Sequence, residues 1–341
     1  MAVNLQHAAR FTRAVADGRI ECLGCPRACR LRDGQAGACG ARVRQGDRIV
    51  LPDWGRTSGL CVDPIEKKPL YHFLPGSRTL SFGTRGCTLA CRFCQNWHMS
   101  RPQAPVALRD AGPEEIADAA LRAGCASVAF TYNEPVAFAE FAIDVAEACR
   151  ARGLRTVAVT NGWVEGAARR AFFEAVDAAN VDLKALDDGF YRRMCSGSLQ
   201  PVLDTLRYLR RETGVWLEVT NLLIPGENDG ADAAARLAGW VACELGADVP
   251  VHFTAFHPDY RLTDRPPTSV ATLVHARDRA IREGLRYVYT GNVVHPEGST
   301  TRCHACGEPL LTRAGFVVTH RSVGIGGKCP RCGAPCAGVW N

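Results

Sequence analysis

Seventeen cysteines, twelve of them in three groups, constrain this chain of 341 residues more than any other feature. Cys22, Cys25, Cys29 and Cys39 lie near the start, and Cys87, Cys91 and Cys94 stand in a long middle. Cys303, Cys306, Cys329, Cys332 and Cys336 lie near the end. No stretch approaches the ~20 apolar residues of a membrane span, and the opening residues carry charge where a secretory signal carries its apolar core. A cytoplasmic protein without membrane contact is expected, and in that compartment paired cysteines point to metal or redox chemistry before disulfides. Both terminal zones are Gly-rich and short of apolar residues, so bound metal must supply much of their folding energy. The expected division is a Cys-rich segment over 1–55, a core over 56–296 and a ribbon-like segment over 297–341.

The net charge of +6 gathers at the ends, with nine Arg against four acids in the first fifty residues. Four thiolates around Zn²⁺ leave a site at about −2, so the basic ends offset metal-bound sulfur without invoking nucleic acid. They also lack the interleaved aromatics of a base-stacking surface.

Between the ends, β-branched runs alternate with amphipathic Ala- and Arg-rich stretches. Strands are expected at Thr79–Thr84, Ala126–Tyr132, Thr156–Thr160, Ala179–Leu183, Val215–Leu223, Val251–Phe256 and Tyr287–Thr290. Helices are expected at Pro113–Ala123, Ala137–Arg152, Gly166–Val176, Pro201–Glu212 and Asp232–Leu245. Pro113 suits a first helical position, and Glu114 and Glu115 complement the helix dipole. Such alternation implies parallel βαβ units. No G-x-G-x-x-G turn follows the first strand, so the α/β fold expected is a partial or full (β/α) barrel, with Cys-rich metal-binding segments at both ends.

Cys87, Cys91 and Cys94 form C-x3-C-x2-C directly after the first of those strands. Three thiolates on one loop cannot close a four-coordinate zinc site, but they hold three corners of a [4Fe-4S] cube and leave one iron open. Loops at the carboxyl ends of barrel strands are where active sites sit. Phe93 beside the third cysteine shields such a cluster from water. Cys303-x2-Cys306 and Cys329-x2-Cys332, each followed by glycine, are two knuckles of one tetrahedral site, zinc by preference, with Cys336 left over as a spare thiol. The irregular set Cys22, Cys25, Cys29 and Cys39 fits zinc or an auxiliary [4Fe-4S] cluster, with zinc preferred. Cys61, Cys125, Cys149, Cys195 and Cys243 read as core or incidental residues, Cys195 being kept as a weak site candidate.

The three-cysteine spacing, with its aromatic before the last cysteine, resembles the radical S-adenosylmethionine superfamily. The segments DPIEKKPLYHFLPGS (63–77), FTYNEP (130–135), TNGW (160–163), DLK (182–184), EVTNLLIPGEND (218–229), FHPDYRLTDRPPT (256–268), YVYTGNV (287–293) and the closing GVW extend the likeness. Together they resemble the radical enzyme of the AmmeMemoRadiSam system, a group similar to pyruvate formate-lyase activating enzyme. The resemblance implies an enzyme that reductively cleaves S-adenosylmethionine at the cluster to a 5′-deoxyadenosyl radical. That radical would abstract hydrogen from a substrate not yet identified, a protein being one option. It implies a one-electron reductant such as a flavodoxin or ferredoxin, and Memo-type and AMMECR-type proteins as partners.

The resemblance also implies that Asn133 and Glu134 replace the usual methionyl-amine-binding segment. Thr160, Asn161, Asp182, Lys184, His252 and His257 are the further candidate cofactor contacts. Plainer readings stand beside these: a helix cap for Thr160 and Asn161, an ion pair of small consequence for Asp182 and Lys184, and structural roles for the histidines. Two rival functions remain, a zinc-dependent nucleic-acid or protein-binding module and an iron–sulfur electron carrier. Neither accounts for the long middle together with an open three-cysteine loop.

Overall fold

The computed structural model describes residues 7–102, 106–230 and 232–341. Its centre is an eight-stranded sheet: β1 (Leu60–Pro64), β2 (Arg78–Phe82), β3 (Ser127–Phe130), β4 (Arg155–Thr160), β5 (Ala178–Asp182), β6 (Trp216–Leu223), β7 (Val251–Ala255) and β8 (Val288–Gly291). The strands lie side by side in chain order. All neighbours from β2 to β8 are parallel, and only β1 on β2 is antiparallel.

Each parallel step is made by one helix: α1 (Pro113–Arg122), α2 (Ala139–Arg150), α3 (Gly166–Glu174), α4 (Gln200–Glu212), α5 (Ala233–Glu244) and α6 (Val270–Arg282). Right-handed crossovers that always advance in one direction keep the helices on one face, so the sheet curls around the other. The curl stops short of closure, because β1 and β8 do not pair. The architecture is therefore a partial (β/α) barrel.

The expected parallel strands all appear, their ends shifted by one or two residues. Glu115 reaches back to the Gly112 amide at 2.8 Å and fixes the start of α1. Gly124 and Gly153, both in the left-handed region, terminate α1 and α2. The stretch expected as one helix from Ala137 begins instead as a 3₁₀ turn at Pro135–Phe138. Helix α6 and strand β1 were not among the expected elements. In α6, Val270, Thr272 and Val274 obscure the helical pattern, and the cap is a single bond from Ser269 Oγ, which accepts from the Thr272 amide at 3.1 Å.

The barrel floor is a plug, residues 65–74, entering from the β1–β2 connection. Ile65, Leu70 and Phe73 pack against Ala129, Val157 and Ala178. Above them Glu218, with no exposure, accepts from the amides of Tyr71 (3.0 Å) and His72 (2.8 Å), from Trp216 Nε1 (3.0 Å) and from His252 Nε2 (2.7 Å). Burial alone would raise this carboxyl, but those donors hold it below its ordinary value.

The C-terminal ribbon docks on the plug. Val339 pairs with it through Leu74 N→Val339 O and Val339 N→His72 O, both 2.7 Å. A chain of donors joins the two: Arg313 Nη1 donates to Thr301 Oγ1 (3.0 Å), and the Tyr289 hydroxyl sits 2.8 Å from Thr301 Oγ1. The same hydroxyl meets His72 Nε2 at 2.5 Å, while His72 Nδ1 meets the Ala337 carbonyl at 2.6 Å. Arg313 also lies 3.6 Å from Glu66, both side chains fully buried, and donates to the Tyr71 carbonyl at 2.7 Å.

Arg313→Met leaves Glu66 buried without its counter-charge, a loss of roughly 3–5 kcal/mol. Denaturant titration should show that loss together with faster proteolysis of the ribbon, and Glu66→Gln in the same chain should recover part of it. Burial holds His72 near a pKa of about 4, below its ordinary 6.5. The stability tied to neutral His72 is therefore intact above pH ~6.5 and lost as pH falls toward 4. His72→Gln should flatten that part of the stability profile.

Candidate active site

The carboxyl ends of the strands open on a cavity of about 490 Å³, within the range of small-molecule sites. The three cysteines reach it from the loop after β2. That loop is tied down along its length: Gly86 N to Met99 O (2.9 Å), Ala90 N to Cys195 O (2.8 Å) and Arg92 N to Met194 O (2.8 Å). Cys87, Cys91 and Cys94 line the cavity as free thiols. Burial raises the Cys87 and Cys94 thiols, a penalty that coordination to a cation removes. A trio of soft donors on one anchored loop, spread around a cavity rather than collapsed on a point, fits a cluster and not a single zinc ion. Phe93 is buried behind the loop against Phe190, ring centroids 6.0 Å apart.

Tyr132 occupies the left-handed region at φ 71°, and this turn sends the next two side chains in different directions. Asn133 accepts from the Thr84 amide at 2.9 Å and donates to the Gly86 carbonyl at 2.8 Å. Its amide thus braces the cysteine loop, and Asn133 also lines the cavity. Glu134 lies across the strand ends. Its Oε1 accepts from Thr160 Oγ1 (2.6 Å) and the Val136 amide (3.1 Å), and its Oε2 accepts from the Asn161 amide (2.7 Å). A carboxylate has about four acceptor positions, so one on Oε2 stays open toward the cavity. Burial pushes this carboxyl up to about 7.

Asn161 Nδ2 donates to Thr88 Oγ1 at 3.1 Å and points at Cys87 Sγ at 3.7 Å. Lys184 Nζ meets Asp182 at 2.9 Å and sits 5.8 Å over the Phe93 ring. Burial alone would lower this ammonium, but Asp182, Cys91 and Cys195 raise it well above its ordinary value. The pair, expected as candidate cofactor contacts with an ion pair of small consequence as the plainer alternative, lines the cavity beside the cysteines. Cys195 is fully buried against Cys91.

His252 lines the cavity, but its Nε2 is committed to Glu218. His257 is exposed and lies outside the lining, so the structure does not bring it to the site. Sequence reasoning missed Lys68, which is buried at 2.7 Å from Asp63 with its Nζ 4.8 Å over the Tyr132 ring. It also missed Phe316, at the tip of the ribbon hairpin. The doubled lysine in DPIEKK was a usable signal for Lys68, whereas nothing local marked Phe316.

Residues 82–238 match the Radical SAM superfamily. An uncharacterized protein of Methanocaldococcus jannaschii is 39% identical over 325 residues, 95% of this chain and 96% of that one. The pyruvate formate-lyase 1-activating enzyme of Escherichia coli K12 is 27% identical over 194 residues, 54% of this chain and 75% of that enzyme. The chain belongs to the radical SAM superfamily. A solved radical SAM methyltransferase from Sphaerobacter thermophilus shares the fold, with a TM-score of 0.50 at 17% identity over 89% of this chain and 81% of that one. Membership in the radical SAM superfamily implies a [4Fe-4S] cluster, S-adenosylmethionine and a one-electron reductant, and the anchored thiol trio matches the first of these.

At the other end, Cys303, Cys306, Cys329 and Cys332 bring their sulfurs within 4.8 Å of one another. The separations are 3.6 Å for Cys303–Cys332 and 3.7 Å for Cys306–Cys329. A Zn–S bond of about 2.3 Å sets tetrahedral corners ~3.8 Å apart, so this set is already shaped for one ion. Gly307 N→Cys303 O and Gly333 N→Cys329 O, both 2.9 Å, close two matching knuckles. Cys336 lies outside the quartet. Among the described residues no helix is long and apolar enough to cross a membrane.

Gly86, at φ 94°, is where the cysteine loop meets the N-terminal segment, and a Cβ there would lie 2.3 Å from the Cys39 carbonyl oxygen. Gly124, at φ 63°, has open space around it. Both alanine variants carry a left-handed penalty of roughly 1–2 kcal/mol. Gly86→Ala should lose clearly more than Gly124→Ala in thermal denaturation, and equal losses would show that the loop and the N-terminal segment are not in contact.

Proposed function

We propose that this radical SAM enzyme uses Cys87, Cys91 and Cys94 to generate a 5′-deoxyadenosyl radical that takes a hydrogen atom from a protein substrate. The observation that carries the reading is the convergence of those thiols with Glu134 and Asn161 around one cavity at the carboxyl ends of the strands. Cys87, Cys91 and Cys94 would hold a [4Fe-4S] cluster in that cavity, and the cluster would supply the electron that cleaves the sulfonium of S-adenosylmethionine.

The chain's own part is binding, orientation and exclusion of water. The open position on Glu134 Oε2 accepts from the methionyl ammonium, and Thr160 on Oε1 and the Asn161 amide on Oε2 keep the carboxylate from turning away. Asn161 Nδ2 and the Lys184 ammonium set positive charge beside sulfur, which stabilises the more reduced, more negative state. Phe93 keeps water from the back of the loop. The protein substrate is supported by the distant likeness to a pyruvate formate-lyase activating enzyme. Proteins of the Memo and AMMECR types, implied by the motif resemblance, are the first substrates to test. The C-terminal quartet takes one zinc ion in a structural role, because four cysteines leave no coordination position for a substrate.

Cys91→Ala should abolish reductive formation of 5′-deoxyadenosine while the C-terminal metal stays, and undiminished cleavage would sink the assignment. Losing one charged hydrogen bond costs roughly 1.5–3 kcal/mol. Glu134→Gln should accordingly weaken S-adenosylmethionine about ten- to more than hundredfold in an isothermal titration, with iron content unchanged. A wild-type dissociation constant would return Glu134 to a purely structural role.

Cys306→Ala should lose about one equivalent of zinc and become protease-sensitive over 300–341, because a ribbon with little core folds only around its metal. An unchanged zinc content by elemental analysis would count against the site.

A further inference from the structure

The N-terminal cysteines form the second metal question of this chain, and their arrangement differs from that of the C-terminal quartet. Cys22, Cys25, Cys29 and Cys39 line a single cavity, closed on one side by the buried guanidinium of Arg42. Four thiols around one space are the donor set of a metal centre. The centre's size follows from how far apart the sulfurs stand. Among the described residues, the Cys303 group alone brings three or more ligand atoms within 4.8 Å of one another. The N-terminal sulfurs do not contract to that spacing, and neither do Cys87, Cys91 and Cys94, the trio suited to a four-iron cube. A zinc tetrahedron has edges of only ~3.8 Å, whereas thiolates on the corners of an iron–sulfur cube stand much farther apart, beyond the cluster's own atoms.

The surroundings are built for a buried anionic centre. Arg42 is held by Glu140 through Nη1 at 2.9 Å and Nη2 at 2.5 Å, both side chains at most 3% exposed. Its guanidinium lines the same cavity as the four thiols. The backbone amides of Gly24, Arg27 and Ala41 are directed at the sulfurs of Cys22, Cys25 and Cys39. Such N–H donors stabilise metal-bound thiolate. Ala28 takes the left-handed region at φ 46°, a strained turn between Cys25 and Cys29.

The cavity shares a wall with the catalytic loop. Thr88, next to Cys87, and Val136, whose amide caps Glu134, both line it. Arg27 Nη2 donates to the Thr88 carbonyl at 3.3 Å and to the Ser196 carbonyl at 2.6 Å. We infer that Cys22, Cys25, Cys29 and Cys39 bind a second [4Fe-4S] cluster, fully ligated by protein and seated directly behind the catalytic loop, in place of the zinc ion that the spacing alone favoured.

The test uses the full chain purified without oxygen. In Cys87→Ala/Cys91→Ala/Cys94→Ala, about four iron and four acid-labile sulfide per chain should remain, with the Mössbauer and reduced EPR signature of a four-iron cluster and about one zinc. Adding Cys25→Ala should remove that iron. A triple variant with no sulfide and about two zinc overturns the inference. If the triple variant does not fold, the wild-type chain decides: about eight iron supports the second cluster, and about four iron with two zinc overturns it. Failure of the proposed function is distinguishable, because a chain without a cluster at Cys87, Cys91 and Cys94 would hold about four iron both before and after the triple substitution.

Discussion

The buried carboxylate of Glu218 is the interaction on which the rest of the molecule depends. It stands on β6 with all its acceptor positions taken, by two plug amides, by Trp216 and by His252. A buried charge is tolerable only when it is this fully satisfied, because an unpaired one carries several kcal/mol of desolvation. In satisfying Glu218, the chain has to thread residues 69–72 into the floor of an incomplete barrel. That placement puts Phe73 on the inner apolar layer and presents the His72 and Leu74 backbone to Val339. The apolar cluster of the C-terminal ribbon, with Leu310, Leu311 and Trp340, is completed by Tyr71 of the plug and by Tyr287 and Tyr289 of the barrel, so the ribbon is located by what Glu218 has already fixed.

The opposite end of the barrel is arranged on a different plan. Asn133 and Glu134 are neighbours in sequence with separate duties, one bracing the cysteine loop and the other joining the ends of β3 and β4 across the cavity. The left-handed Tyr132 before them makes the split possible, and its hydroxyl is held by Asp63 at 2.9 Å. Strain at this position is a local expense set against a fixed geometry for two functional groups. The same Asp63 holds Lys67 and Lys68, so strand β1, the one antiparallel member of the sheet, is bound to the cavity rim through charge.

What could be read from the sequence was what is local. Parallel strands β2 to β8 were visible because buried β-branched runs alternate with amphipathic helices. The knuckles at Cys303 and Cys329 were visible because each closes within a few residues on its own glycine. Strand β1, the plug and the Glu218 cluster were not visible, since Glu218 finds its amide partners 146 and 147 residues away. His252 was noticed for its chemistry, yet its partner on the neighbouring strand decides its role, and His257 had no partner to bring it inward. The N-terminal cysteines show the limit most clearly. Their spacing admits one ion or a cluster, and the choice between them turns on how far apart the folded chain holds the four sulfurs, which spacing along the sequence does not give.

The bridge between Phe73 and Val339 also bears on how such a chain comes off the ribosome. His72 and the Ala337 carbonyl that binds it are 265 positions apart, so the barrel floor is sealed by segments made far apart in synthesis. Contacts of such separation form late, because the long loop must be closed before they repay its entropy. Until Val339 has been made, the plug lacks the strand that pairs with His72 and Leu74. A partly made chain of this kind is a natural client for chaperones.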